Sequence, residues 1–161
     1  MPSDYLLIID GVPGESKDSK HPNAIDIDSW SWSATNSGSF GTGSGGGAGK
    51  AAFVDVHFSA KVSKASPLLF KHCASGQHIR KAQLIVRKQG DTQQDYYIVD
   101  FEDLLVSSYQ TNGDAFGGSM PIDMFTLNFG KVKYQYSVQR QDGGLDPAIT
   151  TGWSLKENKK Q

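Results

Sequence analysis

A mainly β fold, a barrel or sandwich with one helix at its side, is what this sequence predicts. Three observations carry the prediction. Apolar and polar residues alternate over several stretches, the period of a half-buried strand. Glycine, proline and aspartate punctuate those stretches, as turns require. Only the segment from Ser66 to Gly76 has both helix signals, Ser66-Pro67 at its start and Gly76 at its stop.

The elements follow in order. Tyr5 to Ile9 is a short apolar run ended by Asp10-Gly11, a buried strand and a turn. Pro13 to Asn23 is polar and reads as a surface loop. Ile25 to Ser33 alternates, but its phase changes: Ile25 and Ile27 are odd, Trp30 and Trp32 even. A bulge near Asp28 or Ser29 keeps both pairs on one face; without it the two ends bury opposite faces. Residues 37–50 form a long glycine-rich loop in which Phe40 is the only large apolar group.

Phe53 to Val62 is the cleanest strand, with Val54, Val56, Phe58, Ala60 and Val62 on one face and Asp55, His57, Ser59 and Lys61 on the other. The helix takes Ser66 as N-cap and Pro67 as first residue, with Leu69 and Cys73 one turn apart on its apolar side. From His78 to Lys88, Ala82, Leu84 and Val86 face away from Lys81, Gln83 and Arg87. A turn at Gly90-Asp91, a long strand from Asp95 to Tyr109 and a second glycine loop follow. The strand from Ile122 to Arg140 changes phase at Gly130, which marks a bend. Asp142 to Gly144 is a turn, Trp153 anchors a last segment, and the flexible tail 156–161 is polar. The sum is about seven strands in one domain spanning 1–161.

Composition bounds the function. Hydrophobic residues make up 37% of 161, too many for a disordered chain. Lysine plus arginine is 16 and aspartate plus glutamate is 17, a net charge of −1. That balance lacks the basic footprint of a nucleic-acid binder or of a polybasic membrane binder. One cysteine, Cys73, rules out an internal disulfide. The first residues lack the layout of a signal peptide, and no apolar run is long enough to insert in a membrane as a helix. Synthesis in the cytoplasm, with any export reading the folded protein, is the expectation.

No catalytic, cofactor or metal set emerges. A P-loop ending at Gly49-Lys50 needs glycine where Ser44 stands and serine or threonine where Ala51 stands. Gly41, Gly43 and Gly46 match a dinucleotide spacing, but the next element reads as a strand and offers no helix N-terminus to a pyrophosphate. His21, His57, His72 and His78 include no i, i+4 pair, and His72 beside Cys73 diverges from it on a helix. His72 and His78 read as cations near the helix C-terminus. Cys73 reads as a small core residue rather than a nucleophile. A small hydrolase built on Asp55, His57 or Cys73 is the enzyme alternative. Asp26 and Asp28 belong to a solvated face. Trp30 and Trp32 share a face and read as core with Phe58; the rival role for the two tryptophans is a sugar-stacking platform, which would make the chain a carbohydrate-binding β-sandwich. Ser29, Ser31 and Ser33 then form a small, uncharged surface fit to line something wide and wet.

An ordered set of motifs adds a resemblance. Gly14-Glu15-Ser16-Lys17-Asp18 with His21, Ile25-Asp26, Trp30-Ser31-Trp32, the run Gly45 to Lys50, the helix, and Lys81 to Lys88 all resemble the Hcp (hemolysin-coregulated protein) family of type VI secretion systems. Leu105 to Ser108 and Thr126 to Phe129 match as well, so the resemblance runs from about Asp4 to Trp153. Ser33 stands where many members carry glycine. The resemblance implies a β-barrel of two antiparallel sheets with one flanking α-helix. It implies hexameric rings stacked into a hollow tube inside a contractile sheath, with a VgrG-type spike at the tip. Such a tube is fired out of the cell without a signal peptide and carries effectors in its lumen. On that reading Phe40, Gly43, Gly46 and Lys50 contact the next ring, and Ser29, Ser31 and Ser33 face the lumen.

Overall fold

The computed structural model describes residues 3–38, 50–89, 93–117 and 120–161. Nine strands and one helix run β1 Ser3–Ile9, β2 Ile25–Ile27, β3 Ser29–Asn36, β4 Ala51–Lys61, α1 Ser66–Ser75, β5 Ile79–Lys88, β6 Asp95–Asn112, β7 Ile122–Tyr136, β8 Ile149–Ser154 and β9 Lys159–Lys160. Every pairing is antiparallel, in the order β2-β1-β5-β6-β7-β4-β3. The path opens at β2 and β3, yet these are consecutive in the chain and joined by Asp28 alone. Asp28 donates its N–H to the Ser59 carbonyl at 2.8 Å, tying the junction to β4. The strand path therefore returns on itself, and Ile25, Ile27, Trp30 and Trp32 all turn inward despite the phase change. A break between two strands does what a bulge would have done.

The second phase change has a partner. β7 pairs with β4 over Ile122 to Leu127 and with β8 over Lys131 to Tyr136, so the ladder divides into two layers at Gly130. β6 follows β7 on both sides of the division. Its inward residues switch from Val99 and Phe101 to Leu104 and Val106 across Asp103, which has φ 54°. The two long strands bend together, and both layers face one core. Leu7, Val56, Leu84, Val99, Phe101, Phe125 and Leu127 are at most 1% exposed there. Burying each such side chain contributes about 1.5–3 kcal/mol before the entropy cost of ordering it.

α1 lies against this core through Leu69. Its N-cap is Ala65, without a side-chain cap, rather than Ser66. The Ser66 hydroxyl donates instead to the buried Asp123 carboxylate, whose other oxygen accepts the Tyr109 hydroxyl at 2.7 Å. This carboxylate links helix, β6 and β7, and its two donors offset the cost of burying it. Gly76 ends the helix in the left-handed conformation, as the stop signal predicts.

Four further expectations are corrected. Val54 does not share the face of Val56: the register of β3 on β4 slips between Ser31 and Ser33, a bulge that turns Phe53 inward and leaves Val54 exposed. His72 does stand in the last turn of α1, but it is buried rather than exposed, its Nδ1–H donating to the Leu68 carbonyl at 2.8 Å. Arg87 is 1% exposed rather than solvated. The tail 156–161 is not frayed: β9 pairs with β8 through Ser154 and Lys159.

Candidate assembly interface

One layer of the fold, β3-β4-β7-β6, presents an outward face rich in small polar groups, with Val54, Leu105 and Met124 exposed among them. Registers place Ser31, His57, Thr126 and Ser108 in one row across four strands. Ser29, Ser59, Met124 and Gln110 form the next. Ser29, Ser31 and Ser33 are exposed. On the far side of the first row, away from the second, runs a hydrogen-bonded mesh. Asp55 accepts from Ser107 at 2.7 Å and from Asn128 at 2.8 Å, and the Thr126 hydroxyl lies 2.6 Å from those of Ser107 and Ser108. The His57 Nδ1–H is spent on the Asp55 carbonyl at 2.8 Å. Asp55 is thus a carboxylate held by neutral donors, and His57 points no imidazole at it. The arrangement makes a hydrated, nearly uncharged wall, and it lacks a nucleophile–base pair.

The tryptophans lie on the other side of this layer. Trp30 packs on Tyr5 and Tyr97, with centroids 6.0 and 5.4 Å away. Trp32 packs on Phe101 and Tyr134 at 6.2 and 5.7 Å and donates its Nε1–H to the Tyr97 hydroxyl at 3.4 Å. Phe58 is 3% exposed and stacks on Phe125 at 5.3 Å. Both tryptophans pack into the edge of the core and remain partly exposed.

The same layer ends in two strand edges. Among the described residues, β3 pairs with β4 on one side only. β6 pairs with β5 no further than Leu104, so from Leu105 to Asn112 its strand partner is β7 alone among the described residues. Each edge is about one strand long and runs along the polar wall. A row of backbone donors and acceptors of this kind is a template for another chain. Beside the β3 edge, Trp30, Trp32, Tyr97 and Tyr134 line an open recess of about 350 Å³. Phe40, Gly43 and Gly46 lie outside the described residues; Lys50 is exposed at the entry to β4.

The loop from Pro13 to Asn23 is clamped rather than free. A Cβ on Gly14 would lie 2.4 Å from the Ala24 carbonyl, so no larger residue fits. The loop closes with Ser16 N–H to Ala24 O at 3.0 Å and Asn23 N–H to Ser16 O at 3.0 Å. Arg87 pairs with Asp18 at 2.5 Å and donates to the Gln93 side chain, while His21 meets Asp95 at 2.8 Å. Asp18 in turn accepts the Lys20 and His21 amides at 3.0 and 2.8 Å. Residues Gly14, Ser16, Asp18 and His21 therefore fix the loop over Leu6, Ala24 and Ile85, a small second core. Spacing along the chain gave no hint of Arg87 as their anchor; an arginine closing the apolar run Leu84 to Val86 was its one trace.

Neither chemistry nor ligation is built elsewhere in the described part. No group of three or more His, Cys, Asp or Glu side chains is placed to hold a metal among the described residues. A concavity of about 650 Å³ on the outer face of β1, β5, β6, β7 and β8 mixes Asp100 and Glu102 with Lys81, Lys131 and Lys133. Its charges neutralise each other locally, with Lys81 3.9 Å from Glu102. Among the described residues, no helix is long and apolar enough to cross a membrane.

Residues 5–136 match the family described as "Type VI secretion system effector, Hcp". The chain belongs to the Hcp family. Protein hcp1 of Pseudomonas aeruginosa is similar to it, 43% identical over 160 residues that cover 98% of each chain. Among solved structures, Hcp1 from Salmonella typhimurium is 37% identical with a TM-score of 0.83, all of both chains being covered. A structure described as a type six secretion system protein superposes with a TM-score of 0.94 at 30% identity, over 99% of this chain and 100% of that one. Membership makes this Hcp chain a component of a type VI secretion system with a structural role in its tube. The β-barrel with a flanking helix is the family's fold.

Proposed function

We propose that this Hcp chain closes into a hexameric ring by joining the β3 edge of one copy to the β6 edge of the next. The observation that carries the reading is the pair of strand edges on one four-stranded layer. Strand directions alternate through β3, β4, β7 and β6, so β6 of a neighbour continues the antiparallel order beside β3. Such a contact is heterologous, and it gives a closed ring when the rotation per copy fits. Backbone pairing supplies the affinity, and the Trp30–Trp32 recess beside β3 supplies a surface for side chains at the junction. Ser29, Ser31 and Ser33, with Thr126 and Ser108, then face the hole.

Rings of this kind stack into the tube, with Phe40, Gly43, Gly46 and Lys50 in the contact between rings. The tube runs inside a contractile sheath under a VgrG-type spike and is made in the cytoplasm. It is fired out without a signal peptide. A wide lumen walled by hydroxyls and amides suits a folded effector as cargo, because weak polar contacts retain it without trapping it. The chain acts as scaffold and carrier, and it works without catalysis.

Amide hydrogen exchange at several protein concentrations tests the ring contact. Segments Ser29 to Thr35 and Leu105 to Asn112 gain protection together as the ring forms, while β5 stays unchanged. Edges that exchange equally fast in assembled and dissociated protein would sink the assignment.

A further inference from the structure

The polar wall has a reverse side, and its two strand edges carry unlike groups there. On β6 the group is Tyr109, which pairs with the buried Phe125 and so points away from the wall. α1 packs along this side of β6. Leu69 turns into the core, and Phe70, about 100° further round the helix, meets the Tyr109 ring edge-on with centroids 6.2 Å apart. Phe70 is 60% exposed. Its support is fixed, because the Ser66 hydroxyl at the helix start and the Tyr109 hydroxyl on the strand edge share the buried Asp123 carboxylate.

On β3 the reverse side carries Trp30, which pairs with Phe58, and Ala34, which pairs with Phe53. The recess of about 350 Å³ opens beside this edge. Trp30, Trp32, Tyr97 and Tyr134 give it aromatic walls, exposed Ala34 lies at its mouth, and none of the described residues lining it is charged. Joining the β3 edge of one copy to the β6 edge of the next as one continued sheet keeps both hydroxyl walls on one side. The reverse sides then adjoin too, and Phe70 and the recess meet across a single seam.

We propose that Phe70 of one copy inserts into the Trp30–Trp32 recess of the next and anchors the junction between them. The proposal rests on the ring reading and adds the side chain that fills the recess. Backbone pairing at a strand edge accepts any strand, so specificity has to come from side chains in pockets. A phenylalanine entering a cleft of aromatic rings selects β6 of this chain over other strands and fixes its register. Ring-on-ring contact favours it beyond the area it buries. An apolar anchor in a desolvated aromatic pocket is also where binding energy concentrates.

Light scattering and tryptophan emission over a dilution series of the full chain and three variants test this. F70A changes an exposed position, keeps the fold, and needs about tenfold more protein or above to form the ring. F70L, which keeps an apolar group, stays closer to the parent than F70A does. A34E sets a carboxylate at the mouth of the recess and weakens assembly as F70A does. F70A and A34E are each defective on one side of the junction only, so mixing them gives pairs at concentrations where each alone stays single. Tryptophan emission of the parent moves to shorter wavelength as the ring forms, because Phe70 displaces water from the indoles. F70A assembling at the parent's concentration, or emission that does not move, would overturn the anchor while leaving the ring intact. Assembly weakened by A34E but not by F70A would show the recess filled by another group and overturn it as well. A parent that forms no ring overturns both readings, and its mass alone shows which has failed.

Discussion

Asp103 and Gly130 face each other where the β6–β7 hairpin bends, and a Cβ at position 130 would lie 3.3 Å from that of Asp103. The Gly130 carbonyl also accepts the Leu155 N–H at 2.8 Å, so the C-terminal segment is hung from the same point. A larger residue at 130 presses on the Asp103 Cβ, and Asp103, whose backbone sits in the left-handed region, has to give way by a few tenths of an ångström. Gly130→Val is expected to cost about 1–3 kcal/mol in chemical denaturation. An unchanged midpoint would mean that the bend is not set there.

Arg87 and Asp18 make the second structural claim. Partial desolvation pushes the Asp18 carboxyl up, but the hydrogen bonds from Arg87 and from the His21 and Lys20 amides outweigh it and hold it below the usual carboxylate range. The stability this gives is present above the unfolded value of about 3.9 and is lost as pH falls through the lowered one. Arg87→Ala removes the ion pair and the packing of a buried side chain, while Asp18 keeps its two backbone amides, and is expected to cost about 1–3 kcal/mol at neutral pH. Asp18→Asn is less stable than the parent at pH 7, and the two converge as pH falls below about 4. A constant difference down to pH 2 would contradict this sign.

Asp26 is predicted to behave in the opposite way. Desolvation first, then the charges of Asp4, Asp28, Asp18 and Glu15, raise its carboxyl. Its ionised form therefore weakens the fold above the raised value and ceases to do so below the unfolded one. Asp26→Asn should raise the melting temperature at pH 7, with the gain shrinking as pH falls toward 4. A gain of the same size at both pH values would point to a cause other than charge.

Much of the barrel is visible in period and punctuation. The phase changes at Asp28 and Gly130 are written in the order of apolar residues, and so is the helix between Pro67 and Gly76. What period cannot reveal is where a strand carries one residue more than its partner: Phe53 and Val54 exchange faces because β4 spends three residues opposite the two from Ser31 to Ser33. Nor can it reveal a loop lying over a sheet, which is why Arg87 reads as polar surface and proves buried. Ser66 fails as a cap for a similar reason, since a carboxylate distant in sequence, Asp123, takes its hydroxyl. On the polar wall, Ser29, Ser31 and Ser33 follow from alternation, but the Asp55 mesh needs three strands brought into register.

Tyr97 offers a spectroscopic check on the aromatic layer behind that wall. Burial, and after it the hydrogen bond with Tyr134, push its hydroxyl up to about 12, with the Trp32 N–H acting the other way. Ultraviolet titration should show a tyrosine still protonated at pH 11, and Tyr97→Phe should remove it. A parent whose tyrosines all ionise near 10 would show that the Trp32–Tyr97–Tyr134 packing is looser than described.

The central claim is that the chain closes into a ring through the β3 and β6 edges, and absolute mass in solution tests it most directly. Light scattering behind gel filtration should give about 105 kDa, six times the 17.5 kDa chain, over a range of micromolar concentrations. A mass of 17.5 kDa throughout that range would contradict the ring and leave both edges without their proposed partners.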